Sequence, residues 1–229
     1  MHEETIGDRI LYKNNQIIAY NKPAGLPVQS DKTGDQNLLN IVKAFAKKSI
    51  DVVHRIDRPA SGVVLFAKTS GALAALNLQF QERTIQKTYL AVVKNKPLKD
   101  ADTLTHFLLK NEKQNRSVAY DKEIAHSKKA TLNYKLIASS DNYHLLEIDL
   151  LSGRHHQIRA QLNAIGSPIK GDVKYGFRRG NPDRSIHLHA WKVSFKHPVS
   201  GELETVVAPI PDESLWQFFV KEAKLETKA

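Results

Sequence analysis

The chain has 229 residues, of which 41% are hydrophobic and 25% are charged, so its composition is that of a globular protein long enough to bury a core. Its formal net charge of +10 favours a polyanionic partner such as nucleic acid or an anionic membrane surface, although a solvated basic surface would carry the same charge. The absence of cysteine excludes disulfides, zinc–thiolate sites, iron–sulfur clusters and thiol nucleophiles.

The first part of the chain is predicted to alternate strands and helices. Helical spacing of apolar residues marks the helices, and a continuous apolar run bounded by polar residues marks a buried strand. Ser70 is the expected N-cap of the second helix. The predicted elements are a strand at 17–20, a loop over 21–36, a helix over 37–48, a buried strand at 61–69 and a helix over 70–83.

The rest of the chain is richer in strands, which supports an α+β fold with a mixed, largely antiparallel central β-sheet and flanking helices and loops. No Pro-, Gly- or Ser-rich linker divides the chain, so one domain is expected over 1–229, with its core at about 17–213. The predicted elements are strands at 87–93, 104–109, 117–121, 130–139, 143–151 and 186–198, a helix over 155–166 that ends at Gly166, and a closing helix over 212–226.

One short segment, 54–62, places a lone carboxylate between two arginines at the start of a strand. Arg55 and Arg58 flank Asp57, and their positive charge favours its ionised form. Such an aspartate suits a nucleophile or an electrostatic partner better than a general acid. A surface Arg–Asp pair at a strand start is the plainer interpretation of these residues alone.

A second segment, 150–176, brings Arg154, His155 and His156 to the start of a predicted helix, and His155 and Arg159 are expected to share a face of that helix. Free backbone N–H groups at a helix start, together with these cations, make a phosphate site. A metal site is disfavoured because adjacent histidines on a helix point in different directions. The alternative for His156 and Gln157 is a buried, hydrogen-bonded structural pair.

Other motifs narrow the chemistry. Tyr89 lies in a predicted strand, where its ring either stacks on a nucleobase or packs in the core. No second carboxylate accompanies Asp57 in a motif, as a glycosidase would need, and no Walker, Rossmann or nucleophile-elbow motif is present.

Five segments, in this order along the chain, resemble the RluA-type pseudouridine synthases, and together they extend over about 17–211. The resemblance implies the pseudouridine synthase catalytic fold and an enzyme, an RNA uridine-to-pseudouridine isomerase that works without metal or cofactor. Two positions depart from the family pattern, since Ile56 replaces a leucine and Ala60 replaces a threonine. The segments are YNKPAGLPVQ (20–29), HRIDRPASG (54–62), KTYLAVV (87–93), SGRHHQIRAQLNAIGSPIKGDVKYG (152–176) and LHAWKVSFKHPVSGE (188–202).

The resemblance also implies roles for single residues. Asp57 matches the catalytic aspartate, Tyr89 the tyrosine that packs on the target base, and Arg159 the arginine that pairs with the aspartate. Arg55 matches the arginine that occupies the space of the flipped nucleotide. The other expected RNA-binding residues are Arg58, Lys87, Arg154, His156 and Gln157. Further basic residues, among them Lys22, Lys174, Arg178 and Arg179, are candidates for phosphate contacts.

The expected partner is structured RNA, either ribosomal or transfer RNA, and the motifs do not identify a particular uridine. No apolar stretch approaches membrane-spanning length, and the polar, acidic start of the chain is unlike a secretory signal, so a cytoplasmic monomer without a membrane partner is expected. The sequence before residue 17 predicts no separate N-terminal RNA-binding domain. Two alternatives stay open: an RNA-binding protein whose isomerase activity is secondary or lost, and a basic α+β protein with no RNA role.

Overall fold

A computed structural model describes residues 5–30 and 34–225. Part of the predicted loop, residues 31–33, and the end of the closing helix at Glu226 lie outside the described residues, as does the acidic segment 1–4. The described residues group into two compact units, one formed by 5–30, 34–86 and 190–211 and the other by 87–189 and 212–225. The expectation of a single domain stays a prediction.

The strands of the first unit pair in the order β1-β2-β4-β10, with β3 on β4 and β11 on β10. The pairs β1–β2, β2–β4, β3–β4 and β10–β11 are antiparallel. The strands are β1 (Ile10–Lys13), β2 (Ile17–Lys22), β3 (Asp51–Val52), β4 (Ser61–Ala67), β10 (Leu188–Lys196, of which Ala190 onward belongs to this unit) and β11 (Leu203–Val207).

Alternating apolar side chains of these strands form the core of the first unit. Ile17, Leu65 and Phe195 are at most 1% exposed and pack with Leu76 from the second helix. A β-strand directs every second side chain to one face, so these strand residues share the face that packs against Leu76.

Two helices accompany the sheet of the first unit, α1 (Leu38–Ala46) and α2 (Ser70–Glu82). The predicted N-cap at Ser70 is wrong by one residue, because the hydroxyl of Thr69 accepts the backbone N–H of Ala72. Thr69 has extended backbone angles, as an N-cap residue requires, whereas Ser70 is already helical.

Gly62 permits a close approach between β4 and β10. Its φ is +114°, and a Cβ at this position would lie 2.2 Å from the carbonyl oxygen of Ala190. A side chain of any kind would therefore force the two strands apart.

The second unit contains an antiparallel sheet in the order β5-β9-β8-β6-β7. Turns join β6 to β7 and β8 to β9, as the sequence spacing predicts. Its strands are β5 (Gln86–Val93, of which Lys87 onward belongs to this unit), β6 (Ala101–Asn111), β7 (Arg116–Tyr120), β8 (Lys128–Ser139) and β9 (His144–Leu150).

Two helices belong to the second unit, α3 (Gln157–Ala164) and α4 (Ser214–Glu222). Ala160 of α3 packs with Leu108 and Ala130 of the sheet. The helix ends as predicted, since Gly166 follows it in the left-handed conformation with φ +77°. None of the helices in the described part of the chain is long and apolar enough to cross a membrane.

Candidate active site

Asp57 lies in the loop 53–60, which connects β3 to β4. β3 pairs with the end of β4 through Val52 and Phe66, and the chain then turns away. Within the loop, the N–H of Ala60 donates to the carbonyl oxygen of Asp57 at 3.1 Å, which closes a turn around Pro59. The half-buried Asp57 side chain therefore projects from a backbone that a proline and a main-chain hydrogen bond both constrain.

Lys22 supports this loop from the end of β2. Its side chain is fully buried, and its ammonium donates to the carbonyl oxygens of Pro23 (2.9 Å), Leu26 (2.8 Å) and Arg58 (3.1 Å). Burial lowers the pKa of Lys22 to about 7, the charge of Asp57 opposes this shift, and that of Arg58 adds to it. The prediction that Lys22 contacts RNA phosphates is wrong, because its cation points into the protein.

The two arginines beside Asp57 differ in their surroundings. Arg55 is exposed. Arg58 donates from Nε to the carbonyl oxygen of Gly25 at 2.9 Å and forms an ion pair with Asp35 at 2.6 Å. Its carbonyl oxygen accepts the N–H of Gly25 at 2.8 Å. Arg58 thus joins the Asp57 loop to the turn after β2, and its role in RNA binding stays a prediction.

Within the second unit, Tyr89 lies in β5 opposite Ile148 of β9 and is 7% exposed. Two residues earlier on β5, the Lys87 ammonium would be 3.7 Å from a Cβ placed on Gly153. β5 therefore brings Lys87 beside the start of the segment 152–176. The stacking of Tyr89 on a base stays a prediction.

Arg159 is held in α3 by a buried ion pair. Its Nε and one terminal nitrogen donate to the two carboxylate oxygens of Asp172, at 2.7 and 2.8 Å. Its guanidinium carbon lies 4.8 Å from the ring centre of Tyr175. These contacts fix the position of the guanidinium, and its predicted pairing with Asp57 stays a prediction.

His156 belongs to a hydrogen-bonded group next to this ion pair. The hydroxyl of Tyr175 accepts the N–H of Ser117 at 2.7 Å and lies 3.0 Å from Nδ1 of His156. The hydroxyl and Nδ1 share this hydrogen bond, and its direction depends on the tautomer of the neutral His156. Burial above all, and next the charge of Arg159, lower the pKa of His156 to about 2.

The predicted position of His155 on the helix is wrong. His156 adopts a left-handed conformation with φ +51°, so α3 begins only at Gln157. The two imidazole rings stack with their centres 3.8 Å apart. Nδ1 of His155 lies 2.9 Å from the Ser117 hydroxyl, which donates to the carbonyl oxygen of His155 at 2.7 Å.

Gln157 connects the segment 152–176 to the sheet. Its side-chain oxygen accepts from the hydroxyl of Ser152 (2.8 Å) and the N–H of Arg154 (3.0 Å), and its amide nitrogen donates to the carbonyl oxygen of Thr131 (3.1 Å). Gln157 is 3% exposed. These contacts favour the structural alternative for Gln157 over an RNA contact, and they hold Arg154 at the helix start.

Several residues that shape the site were not assigned this role from the sequence. These residues are Lys22, Asp172 and Tyr175. Their positions inside the quoted motifs are the one sequence feature that points to them, because their hydrogen-bond partners depend on the fold. Within 5–30 and 34–225, no group of three or more His, Cys, Asp or Glu side chains could hold a metal ion.

Comparisons with known sequences match most of the chain. The family model described as RNA pseudouridylate synthase matches residues 16–164. The ribosomal large subunit pseudouridine synthase C of Rickettsia bellii is 33% identical over 208 residues, which cover 88% of this chain and 68% of the relative. The protein of the same name from Salmonella typhimurium is 32% identical over 217 residues, which cover 90% of this chain and 67% of the relative.

Solved structures resemble the chain in fold. Human RNA pseudouridylate synthase domain containing 4 matches with a TM-score of 0.79 at 20% identity and covers 98% of this chain and 96% of its own. Human RNA pseudouridylate synthase domain containing 1 matches with a TM-score of 0.76 at 21% identity and covers 100% of both chains. These likenesses confirm the predicted α+β fold with its mixed, largely antiparallel sheet and flanking helices.

Proposed function

The chain belongs to the RNA pseudouridylate synthase family, as its motifs predict, and we propose that Asp57 is the catalytic residue with which it isomerises uridine. The enzyme converts uridine in RNA to pseudouridine. In this isomerisation the bond between the sugar and N1 of the base breaks, the base turns, and a bond forms between the sugar and C5. The proton on C5 is lost and N1 gains one, so the reaction has no net oxidation or reduction.

The observation that supports Asp57 is the way its loop is built. The carboxylate lies on a constrained turn, near the buried ammonium of Lys22 and beside the exposed Arg55. Such surroundings hold an aspartate oxygen in one place for attack at the anomeric carbon, for attack on the base, or for removal of a neighbouring proton. Each of these roles needs a fixed carboxylate.

Tyr89 and Arg159 complete the proposed catalytic group. The phenol ring of Tyr89 would stack on the target base, which contributes about 1–3 kcal/mol and offsets part of the cost of removing that base from its stack. The guanidinium of Arg159 would pair with Asp57 while its other face stays on Asp172. No metal or cofactor is assigned to any step.

The RNA phosphates are proposed to contact basic residues of the motifs, of which Arg55 is exposed and Lys87 and Arg154 are half-buried. We expect phosphate contacts from Arg55, Lys87 and Arg154. The exposed side chain of Arg58 is expected to contribute a further contact. His156 and Gln157 are proposed to act through the placement of Arg154 at the helix start, since their polar atoms are engaged within the protein.

We propose large-subunit ribosomal RNA as the substrate, because the matched bacterial relatives are named ribosomal large subunit pseudouridine synthases. Transfer RNA is the alternative substrate. We further propose that the enzyme acts as a cytoplasmic monomer without a membrane partner or a cofactor. Size-exclusion chromatography with light scattering would test the oligomeric state.

The testing experiment maps pseudouridine at single-nucleotide resolution in total RNA from cells with and without the gene. The deletion strain is complemented with wild type, with Asp57→Asn, and with Asp35→Asn as a control carboxylate in the same unit. A ribosomal site that disappears on deletion and returns with wild type and Asp35→Asn, but not with Asp57→Asn, is expected. Restoration of that site by Asp57→Asn would contradict the proposed role of Asp57. If only transfer RNA sites were lost on deletion, transfer RNA and not ribosomal RNA would be the substrate.

A further inference from the structure

The hydrogen-bond ladder along one edge of β4 changes partners at Leu65. β3 pairs with Ala67 and Phe66 of this strand. The ladder continues for one more bond, in which the N–H of Val53 donates to the carbonyl oxygen of Leu65 at 3.2 Å. The chain then leaves the sheet as the loop that carries Asp57.

A side chain takes the place of the next backbone partner. The N–H of Leu65, a residue that is 0% exposed, donates to Nε2 of His54 at 3.1 Å. In a continuing antiparallel ladder this N–H would donate to a carbonyl oxygen of the neighbouring strand. The imidazole supplies the acceptor instead, so the backbone of residue 54 can turn away without leaving a buried N–H unsatisfied.

The same ring is held on a second side. The centre of the His54 ring lies 5.1 Å from that of Phe80 on α2. Because a backbone N–H can only donate, Nε2 of His54 is the unprotonated nitrogen in this arrangement. His54 is therefore held in place, and the chain runs from it through three residues to Asp57.

The far side of the loop is fixed independently of His54. The carbonyl oxygen of Arg58 accepts from both Lys22 and Gly25. Asp57 thus lies between two fixed residues: Arg58, which follows it directly, and His54, three residues before it. Loosening the His54 anchor should let the Asp57 carboxylate shift while the fold of the unit stays intact.

We propose that His54 is a positioning residue for Asp57, acting through the acceptor atom Nε2 rather than through contact with RNA. This inference rests on the proposed catalytic role of Asp57. A misplacement of a reacting group by about 1 Å costs on the order of 10²-fold in rate. Removal of the acceptor should therefore slow the chemical step and leave RNA affinity unchanged.

Three variants separate the acceptor from the ring. His54→Gln places an oxygen acceptor at about the distance of Nε2 from the backbone, His54→Asn places one at about that of Nδ1, and His54→Phe keeps a ring beside Phe80 without an acceptor. The measurements are the single-turnover rate of pseudouridine formation, the dissociation constant for the same RNA, and the melting temperature, with Asp57→Asn as the reference for lost chemistry.

We expect His54→Gln to retain the single-turnover rate within about threefold, and His54→Asn and His54→Phe to lose about 10- to 100-fold, with RNA affinity within about twofold for all three. A folded His54→Phe or His54→Asn with a rate within about twofold of wild type would overturn the proposal, and so would a His54→Gln as slow as His54→Phe.

Two further outcomes are decisive. If His54→Phe does not fold, the comparison of His54→Gln with His54→Asn replaces it, and equal rates for these two would overturn the proposal. If none of the three folds, His54 is a residue of the fold and the proposal fails. An active Asp57→Asn would instead contradict the proposed function, so the two failures are distinguishable.

Discussion

Arg159 and Asp172 face each other through two hydrogen bonds, with side chains only 4% and 2% exposed. Removing one member of such a pair leaves a charge buried without its counterion, which costs far more than the net contribution of the intact pair. The proposed catalytic arginine therefore depends on an aspartate that is itself inaccessible to RNA.

We expect Asp172→Asn to lower the free energy of unfolding by about 3–5 kcal/mol, because Arg159 keeps its charge and loses its counterion. Urea denaturation followed by circular dichroism measures this change. Asp35→Asn is the matched control, since the ion pair of Asp35 with Arg58 is 50% and 41% exposed and its loss should cost less than about 1 kcal/mol. Equal effects of the two variants would contradict the prediction.

Lys22 should make the protein more stable as the pH rises above neutrality. Burial lowers its pKa to about 7 in the folded state, whereas the unfolded side chain titrates near 10.5, so the unfolded state binds more protons between these values. The free energy of unfolding of the wild type should therefore rise between pH 7 and 9, and Lys22→Met should flatten this rise by up to about 1.4 kcal/mol per pH unit.

The control for this effect is Lys68→Met, which removes another lysine that donates to a backbone carbonyl, that of Asn14, in the same unit. Burial also lowers the pKa of Lys68, but this side chain is only half-buried, so its removal should flatten the rise much less. A Lys22→Met protein whose stability still follows that of the wild type from pH 7 to 9 would show that Lys22 stays charged throughout.

His156 should give a pH dependence of the same sign as Lys22, but in the acid range. Its pKa is about 2 in the folded state and near 6.5 in the unfolded state, so the stability it contributes is complete above pH 6.5 and is lost as the pH falls towards 2. His156→Asn keeps an acceptor and tolerates the left-handed backbone. Between pH 6.5 and 5 the wild type should lose up to about 2 kcal/mol more than this variant in urea denaturation.

Other histidines with lowered pKa values, His106, His144 and His187, add to the acid loss in both proteins, so the difference between wild type and His156→Asn isolates the contribution of His156. Identical acid profiles for the two proteins would contradict a neutral, buried His156. Tyr175→Phe provides an independent check, because it removes the hydroxyl that hydrogen-bonds to Nδ1 of His156 and should bring the acid profile closer to that of His156→Asn.

Arg154 should contribute to RNA affinity through charge. Arg154→Gln is expected to weaken binding of any tested RNA and to reduce the slope of log affinity against log salt concentration by about 1, as the loss of one phosphate contact does. Filter binding between low and physiological salt measures the slope. Lys221→Gln on α4 removes the same charge from an exposed position outside the motifs and should leave the slope unchanged. An unchanged slope in Arg154→Gln would exclude a phosphate contact.

The α+β class, its largely antiparallel sheet and most element positions could be predicted because apolar runs with period 2 and period 3.6 are local features of the sequence. The short strands β1, β3 and β11 were missed. β3 has two residues, too few for any pattern, and it forms by pairing with Phe66 and Ala67 of β4. Tertiary pairing created these strands, and a local pattern cannot report it.

The site was predictable as a set of motif positions and much less as a set of contacts. The sequence predicts Lys22 as a phosphate contact, since lysine is almost never fully buried. Only the fold shows that its ammonium donates to three carbonyl oxygens inside the protein. The predicted helix over 155–166 begins two residues too early, because no local sequence pattern indicates the left-handed backbone of His156.

Gly62 stands in the same motif as Asp57, yet the atom that forbids a side chain there is the backbone oxygen of Ala190 in the neighbouring strand. The motif thus combines two constraints, the proposed chemistry of Asp57 on uridine and the spacing of two strands at Gly62. A redesign of the RNA contacts of such an enzyme could vary the exposed Arg55, a proposed contact, but not Gly62, five residues from Asp57.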